Sequence, residues 1–346
     1  MSRILLAAHD RGGANLLLQV FYKVIDKQHD VRFYKAGPAS NVESKNSFDI
    51  TEKKEIVDKI FNDFHPNLVI TGTSKYSNFE KLFWRRAGEL DIPSIALVDA
   101  WINIKDRLIK KNTKILSQPT ILGVIDSSTK NQVEKESWCK SKVLVTGQPH
   151  LESIMELSKK NSRKEKNNTC EILYVSEPIK EQGLTSDFRF DQYDILDILL
   201  KNIPNDRDYK IIIKPHPNEL KLNWEKHKDL ISNKNNFNIV ISDQDIDNLI
   251  LNANLIAGFA SMSLIEAAIL EKSVLSIQFG NNINPNPIFK KISNIKLVKD
   301  TKMLAPMLKI LLDNSYRCSV DKEFMNYFTD SNKKIFDIIA NEFDIL

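Results

Sequence analysis

The stretch 210–219, KIIIKPHPNE, restricts the fold more than any other part of the chain. Residues 210–213 read as a strand buried on both faces. Strands of that kind belong to parallel sheets covered by helices on each side. Pro215 and Pro217 stop the strand and hold the backbone extended around His216. In open α/β sheets ligands bind just beyond the carboxyl ends of the strands. Lys214, His216 and Glu219 therefore stand where such a protein puts its ligand.

The rest of the chain repeats this plan. Residues 4–8 (ILLAA) run into His9-Asp10-Arg11-Gly12-Gly13-Ala14-Asn15, and a helix-period stretch follows over 16–27. Strand, glycine loop, helix is the opening of a doubly wound domain. The loop reads GGAN and not GxGxxG, so the dinucleotide fingerprint is absent. Further strands are expected at 31–36, 68–72, 93–99, 121–126 and 142–146, with helices over 52–64 and 78–90. These make one Rossmann-like domain, 1–157. Residues 158–170 form the linker, because SKKNSRKEKNN is polar and unpatterned. Alternation then restarts with strands at 172–175, 210–213, 237–241, 255–257, 274–277 and 295–298. Helices are expected over 192–202, 263–270 and 302–312. That gives a second Rossmann-like domain, 171–320, and a C-terminal helix within 321–346. The expected fold is α/β, two Rossmann-like domains with a central cleft.

Composition narrows the function classes. A chain of 346 residues suits about two domains. The net charge of +4 is a mild excess that fits anionic small molecules or an anionic membrane surface. Basic residues are scattered with no aromatic-interleaved patch, so nucleic acid is not expected as a partner. Cys139, Cys170 and Cys318 lie far apart without CxxC or zinc spacing, which suits a reducing cytosol. The apolar run at the N-terminus is too short for a signal peptide, and no run approaches the roughly 20 residues of a membrane span. A cytoplasmic protein is expected, with a peripheral place at the inner face of the membrane left open. GxxxxGK[ST] and GxSxG are absent. No acidic pair is assigned to a metal-bound nucleotide sugar; neither metal nor cofactor is expected.

Four strand-end turns carry candidate chemistry. In the first, His216 donates to a phosphate oxygen or acts as an acid, Lys214 neutralises phosphate charge, and Glu219 accepts from sugar or ribose hydroxyls. The competing reading is a rigid Pro-X-Pro loop with a surface histidine. The second turn is Gly258-Phe259-Ala260-Ser261-Met262-Ser263-Leu264-Ile265-Glu266. Its hydroxyls and helix N-terminal amides suit a phosphate. Ser263 and Glu266 also have capping-box spacing, which leaves Ser261 and the nearby amides free. Glu266, if it does not cap, holds a ribose diol. In the third, Gly12 and Gly13 let a substrate approach the backbone, and Asp10 or His9 serves as a base; a plain βα turn competes. In the fourth, Asp99 followed by Trp101 suits a sugar acceptor, with the carboxylate as base and the ring as stacking face. A helix N-cap aspartate with a core tryptophan is the alternative there.

These residues resemble a family. Two Rossmann-like domains, the KPHPNE strand end and the later GFASMSLIEAAILEKSVLSIQ are similar to GT-B-fold bacterial glycosyltransferases of surface-polysaccharide synthesis. CMP-sialic acid and Kdo transferases and CDP-glycerol glycerophosphotransferases are the look-alikes. His216-Pro217 resembles their HP motif, and Ser261 with Ser263 their serine motif. The resemblance implies that these groups bind the nucleotide phosphate and that a first-domain acid is the base, here Asp99 or Asp10. It implies a nucleotide-sugar donor, a glycan or lipid-linked acceptor, and metal-independent inverting transfer, with a glycerophosphotransferase as an alternative. Non-hydrolysing UDP-N-acetylglucosamine 2-epimerases share the fold and supply the isomerase alternative.

Overall fold

The structure is a computed structural model that describes residues 2–25, 29–160, 169–232, 237–279, 286–313, 315–316 and 318–343. It divides into two compact units, Met1–Ser153 with Asn326–Leu346, and Ile154–Met325. Eight residues of the expected linker, 161–168, lie outside the described residues; 158–160 continue the Pro149–Lys160 helix.

Among the described residues the first unit holds seven parallel strands: β1 (Arg3–Ala8), β2 (Asp30–Lys35), β3 (Ser47–Asp49), β4 (Leu68–Thr71), β5 (Ser94–Leu97), β6 (Ile121–Val124) and β7 (Lys142–Val145). Their order is β3-β2-β1-β4-β5-β6-β7. Sequence reading expected six. The missed strand β3 is three residues, SFD, at the sheet edge; so short and polar a segment carries no apolar run. Side chains alternate across the pleat and so build two cores. Ile4, Leu6 and Ala8 face one side with Leu16, Leu17 and Val20 of the Arg11–Val20 helix. Leu5 and Ala7 face the other side with Val57, Phe61, Phe79 and Phe83.

The C-terminal segment was expected as one closing helix. It is a short turn of helix, Lys322–Met325, and a longer one, Ser331–Phe343. Ile335 and Ile339 of the longer helix join the first core. This helix therefore belongs to the first unit, which the chain leaves after Ser153 and rejoins at Asn326.

The second unit holds β8 (Cys170–Val175), β9 (Tyr209–Lys214), β10 (Asn238–Ile241), β11 (Leu255–Gly258), β12 (Ser273–Ile277) and β13 (Ile295–Val298), all parallel, in the order β10-β9-β8-β11-β12-β13. All six were expected. The chain winds outward from β8 through β9 to β10, then returns to β8's other side with β11. The strand order thus reverses between β8 and β11, as it does between β1 and β4 in the first unit. Such a switch point opens a crevice at the carboxyl ends of the strands.

Candidate functional site

In the second unit three neighbouring strands end flush. Val175 of β8 pairs with Lys214 of β9 on one side and Gly258 of β11 on the other. The next residues of each chain segment therefore meet at one sheet edge. On the β9 side, Ser176 donates its hydroxyl to Glu219 Oε1 at 2.7 Å, and the His216 backbone N–H donates to Glu219 Oε2 at 2.6 Å. The Asn218 N–H donates to His216 Nδ1 at 3.1 Å, which fixes the imidazole's orientation. Lys214 Nζ donates to the Gln244 carbonyl at 2.7 Å. Pro217 is exposed at the crest of the turn. Burial pushes the Glu219 carboxyl up, against the pull of the Ser176 hydroxyl and the His216 amide. Each Glu219 oxygen thus accepts a hydrogen bond inside the turn. The carboxyl braces the loop around His216.

On the β11 side, Ser261 is the N-cap of the Met262–Ile269 helix, its Oγ accepting the Ser263 N–H at 3.2 Å. This corrects the expected capping box. Ser263 is the second helical residue, so it cannot cap, and Glu266 is a buried residue of the helix body. Nor are the amides before the helix open. The Ala260 N–H donates to Glu177 Oε2 at 2.5 Å, and the Ser261 N–H reaches the same carboxyl. Burial pushes the Glu177 carboxyl up to about 7, with Glu219 adding to the rise and the two amides opposing it. Sequence reading does not single out Glu177. Its signal was its place: an acid two residues past an apolar strand at the centre of the sheet.

In the first unit the glycines do not form a loop. Gly12 and Gly13 lie in the first turn of the Arg11–Val20 helix, which begins five residues earlier than its apolar period indicates. Gly13 packs against Gly72, just past β4. A Cβ at Gly12 would collide with Asp99 Oδ2. Asp99 is buried, and its Oδ1 accepts from Arg107 NH1 at 2.6 Å. Asp99 caps no helix; the residue before the Ile104–Leu108 helix is Asn103, in the left-handed region at φ 58°. Trp101 donates its Nε1–H to Asp126 Oδ2 at 2.6 Å.

Asp10 is half-exposed and lies 2.8 Å from His9 Nδ1. Burial lowers the His9 imidazole's affinity for a proton, but its hydrogen bond and charge pairing with Asp10 raise it more, so the net shift is upward. The His9 backbone N–H donates to Glu80 Oε1 at 2.8 Å, and Ser74 Oγ donates to Glu80 Oε2 at 2.5 Å. Burial, and then the charge on Asp10, raise the Glu80 carboxyl. Asp10, Gly12 and Asp99 thus gather at the ends of β1 and β5, which flank β4. Arg107 and Glu80 complete this cluster; neither stands next to a strand end in sequence.

Three Asp-x-Asp pairs occur in the second unit: Asp206 with Asp208, Asp243 with Asp245, and Asp245 with Asp247. Asp206 accepts from Arg207 at 2.9 Å and from Tyr209 at 2.6 Å. Asp243 pairs with Lys221, and Asp245 caps the Ile246–Asn252 helix. Among the described residues no three His, Cys, Asp or Glu side chains converge as a metal site would need. No helix of the described residues is long and apolar enough to cross a membrane.

Comparison with known proteins agrees with this architecture. UDP-GlcNAc 2-epimerase from Methanocaldococcus jannaschii has a TM-score of 0.69 at 15% identity, covering 98% of this chain and 99% of its own. Anabaena Alr3699/HepE, solved in complex with UDP and glucose, has a TM-score of 0.60 at 12% identity over 99% of this chain and 96% of its own. Acinetobacter baumannii MurG has a TM-score of 0.55 at 11% identity over 99% of this chain and all of its own. At these identities the likeness carries the fold, two Rossmann-like units of GT-B type. No curated protein matches the sequence. The family model for Alpha-2,8-polysialyltransferase (POLYST) matches residues 93–274, more than half of the chain, from just before β5 into β12. The matched span holds Asp99, Glu177, Lys214, His216, Glu219 and Ser261, and the chain belongs to the alpha-2,8-polysialyltransferase family of glycosyltransferases.

Proposed function

We propose that the chain transfers a nonulosonate sugar from a CMP-activated donor to a glycan or lipid-linked acceptor, by single displacement with inversion and without a metal ion. The observation that carries this reading is the family match over 93–274 with the HP turn and the Ser261 turn inside it, on either side of β8. A lysine, an imidazole, a hydroxyl and helix N-terminal amides are the groups that stabilise a departing phosphate.

In the reaction the acceptor oxygen attacks the anomeric carbon as the bond from that carbon to the phosphate oxygen breaks. The acceptor proton passes to a carboxylate, and CMP leaves with the bonding electrons. The second unit binds the donor, with Lys214, His216, Ser261 and Ser263 at the phosphate and Glu266 near the ribose. The first unit supplies the base. Asp99 takes that role here, since Arg107 holds Oδ1 and Oδ2 lies beside Gly12; it also falls inside the matched span, which Asp10 does not. Asp10 is the reserve. The bare backbone at Gly12 lets the acceptor come close beside Asp99, while Gly13 holds the helix start against Gly72. The reaction is assigned to the cytoplasm, at the inner face of the membrane when the acceptor is lipid-linked.

The test is to incubate the full chain with CMP-N-acetylneuraminate and a sialyl-terminated oligosaccharide in EDTA. CMP release together with acceptor extension is expected, and an alpha-2,8 linkage is the first to look for. Interconversion of UDP-GlcNAc and its 2-epimer without any acceptor, in place of CMP-donor use, would overturn the reading. Transfer of glycerol phosphate from CDP-glycerol would replace it with a glycerophosphotransferase.

A further inference from the structure

The carboxylate of Glu177 sits at the switch point of the second sheet, between the ends of β8 and β11. In an open α/β sheet that crevice is the ligand's place. Its partners there are the amides of Ala260 and Ser261, just ahead of the Met262–Ile269 helix. Backbone N–H groups at a helix N-terminus are what a phosphate binds. The protein thus fills its own anion position with a side chain.

We propose that Glu177 is a resident competitor for the donor phosphate: its carboxylate holds the Ala260 and Ser261 amides in the donor-free protein and yields them when the donor arrives. The inference rests on the donor reading above.

Two further observations favour a position that exchanges occupants over a purely structural lock. The first is Gln278, just past β12 and 1% exposed. Its Nε2 donates to the Phe259 carbonyl at 3.4 Å and to Ser276 Oγ at 3.0 Å, yet among the described residues its Oε1 has no partner. A buried acceptor left open beside the same turn calls for a missing donor, and a ligand hydroxyl or amine supplies one. The second is the neighbourhood of Glu177 itself. Glu219, braced by Ser176 on the other side of β8, places a second carboxyl close enough to disfavour charge on Glu177. A carboxyl that readily takes up a proton grips the amides less firmly than a permanent anion does.

Isothermal titration of the full chain tests this, with CMP, UDP and inorganic phosphate as probes and the wild type, Glu177→Gln and Glu177→Ala as proteins. Glutamine keeps an oxygen for the Ala260 N–H, so it preserves the turn if alanine does not; thermal unfolding checks both. The expected result is roughly tenfold tighter nucleotide binding by either folded variant, the size of one charge-assisted hydrogen bond no longer displaced. Equal or weaker binding by folded Glu177→Gln overturns the inference and leaves the donor reading standing. Binding of UDP but not CMP overturns the donor reading, while Glu177 is then judged on UDP. Failure of all three probes to bind any variant overturns both.

Discussion

Arg107 donates to Asp99 Oδ1 at 2.6 Å while Asp99 Oδ2 rests against Gly12, where no side chain stands. The same guanidinium nitrogen reaches the carbonyl and Oγ1 of Thr73, each at 3.1 Å, and so ties the turn after β5 to the turn after β4. A carboxylate this buried depends on its cation. Arg107→Ala is expected to destabilise the protein by about 3–5 kcal/mol in urea unfolding, because it strands Asp99. Asp99→Asn keeps the shape and removes the base, so kcat is expected to fall at least about 100-fold. Full activity in Asp99→Asn would move the base to Asp10.

Gly12→Ala puts a methyl group onto Asp99 Oδ2. The carboxylate must then turn away from its place beside the helix start. A loss of about 1–3 kcal/mol is expected, as for other overpacked positions. Acceptor KM should rise with it, and steady-state kinetics on the purified variant would show both effects.

The HP turn separates bracing from chemistry. His216→Ala is expected to lower kcat/KM about 100-fold, as for loss of a group that stabilises the leaving charge. Its melting temperature should stay within a few degrees of wild type. Glu219→Ala removes the acceptor of both the Ser176 hydroxyl and the His216 amide. It should cost about 1–3 kcal/mol in stability and lose activity as well. Melting curves and kinetics on the two variants distinguish the roles; equal melting temperatures would show that Glu219 braces nothing.

Glu177 makes stability depend on pH. Its folded-state pKa of about 7 lies above the ordinary 4.5, so the folded protein keeps a proton that the unfolded chain loses first. The contribution is full below about pH 4.5, declines as pH rises, and is gone above about pH 7. It amounts to about 3 kcal/mol at most. Urea unfolding from pH 4.5 to 8 should show Glu177→Gln with a flatter profile than wild type; parallel profiles would refute this.

Gly147 joins the last strand of the first sheet to the C-terminal segment. It has φ +70°, a conformation that L side chains rarely adopt, and a Cβ there would strike Ser331 Oγ. Ser331 in turn donates to the Phe328 carbonyl at 2.5 Å and accepts the Gln148 N–H at 2.9 Å. Gly147→Ala is expected to cost about 2–3 kcal/mol. Proteolysis should then cut first within the C-terminal segment, since its anchor is lost.

Most of the fold was legible because buried parallel strands announce themselves locally. Runs such as ILLAA and KIIIK are too apolar for a surface, and Pro215 and Pro217 mark where one of them stops. The candidate residues at strand ends were legible for the same reason: Asp10, Asp99, His216 and Ser261 follow such runs directly. The helix start at Arg11 was hidden, because two glycines conceal a first turn that gains its stability from packing on Gly72 and not from propensity. The false capping box arose because Ser263 and Glu266 have the right spacing two residues too late.

By itself the sequence determined which segments are strands, all but the polar edge strand β3, and which polar residues leave their carboxyl ends, since both follow from short-range hydrophobic pattern and turn chemistry. Only the tertiary structure decided their partners. Glu177 meets Ala260 across 83 positions, Arg107 picks Asp99 and Thr73, and Ser331 returns to Gly147. Those pairings follow from strand order and the packing of helices on each sheet, which depend on the whole chain's burial and have no local signature.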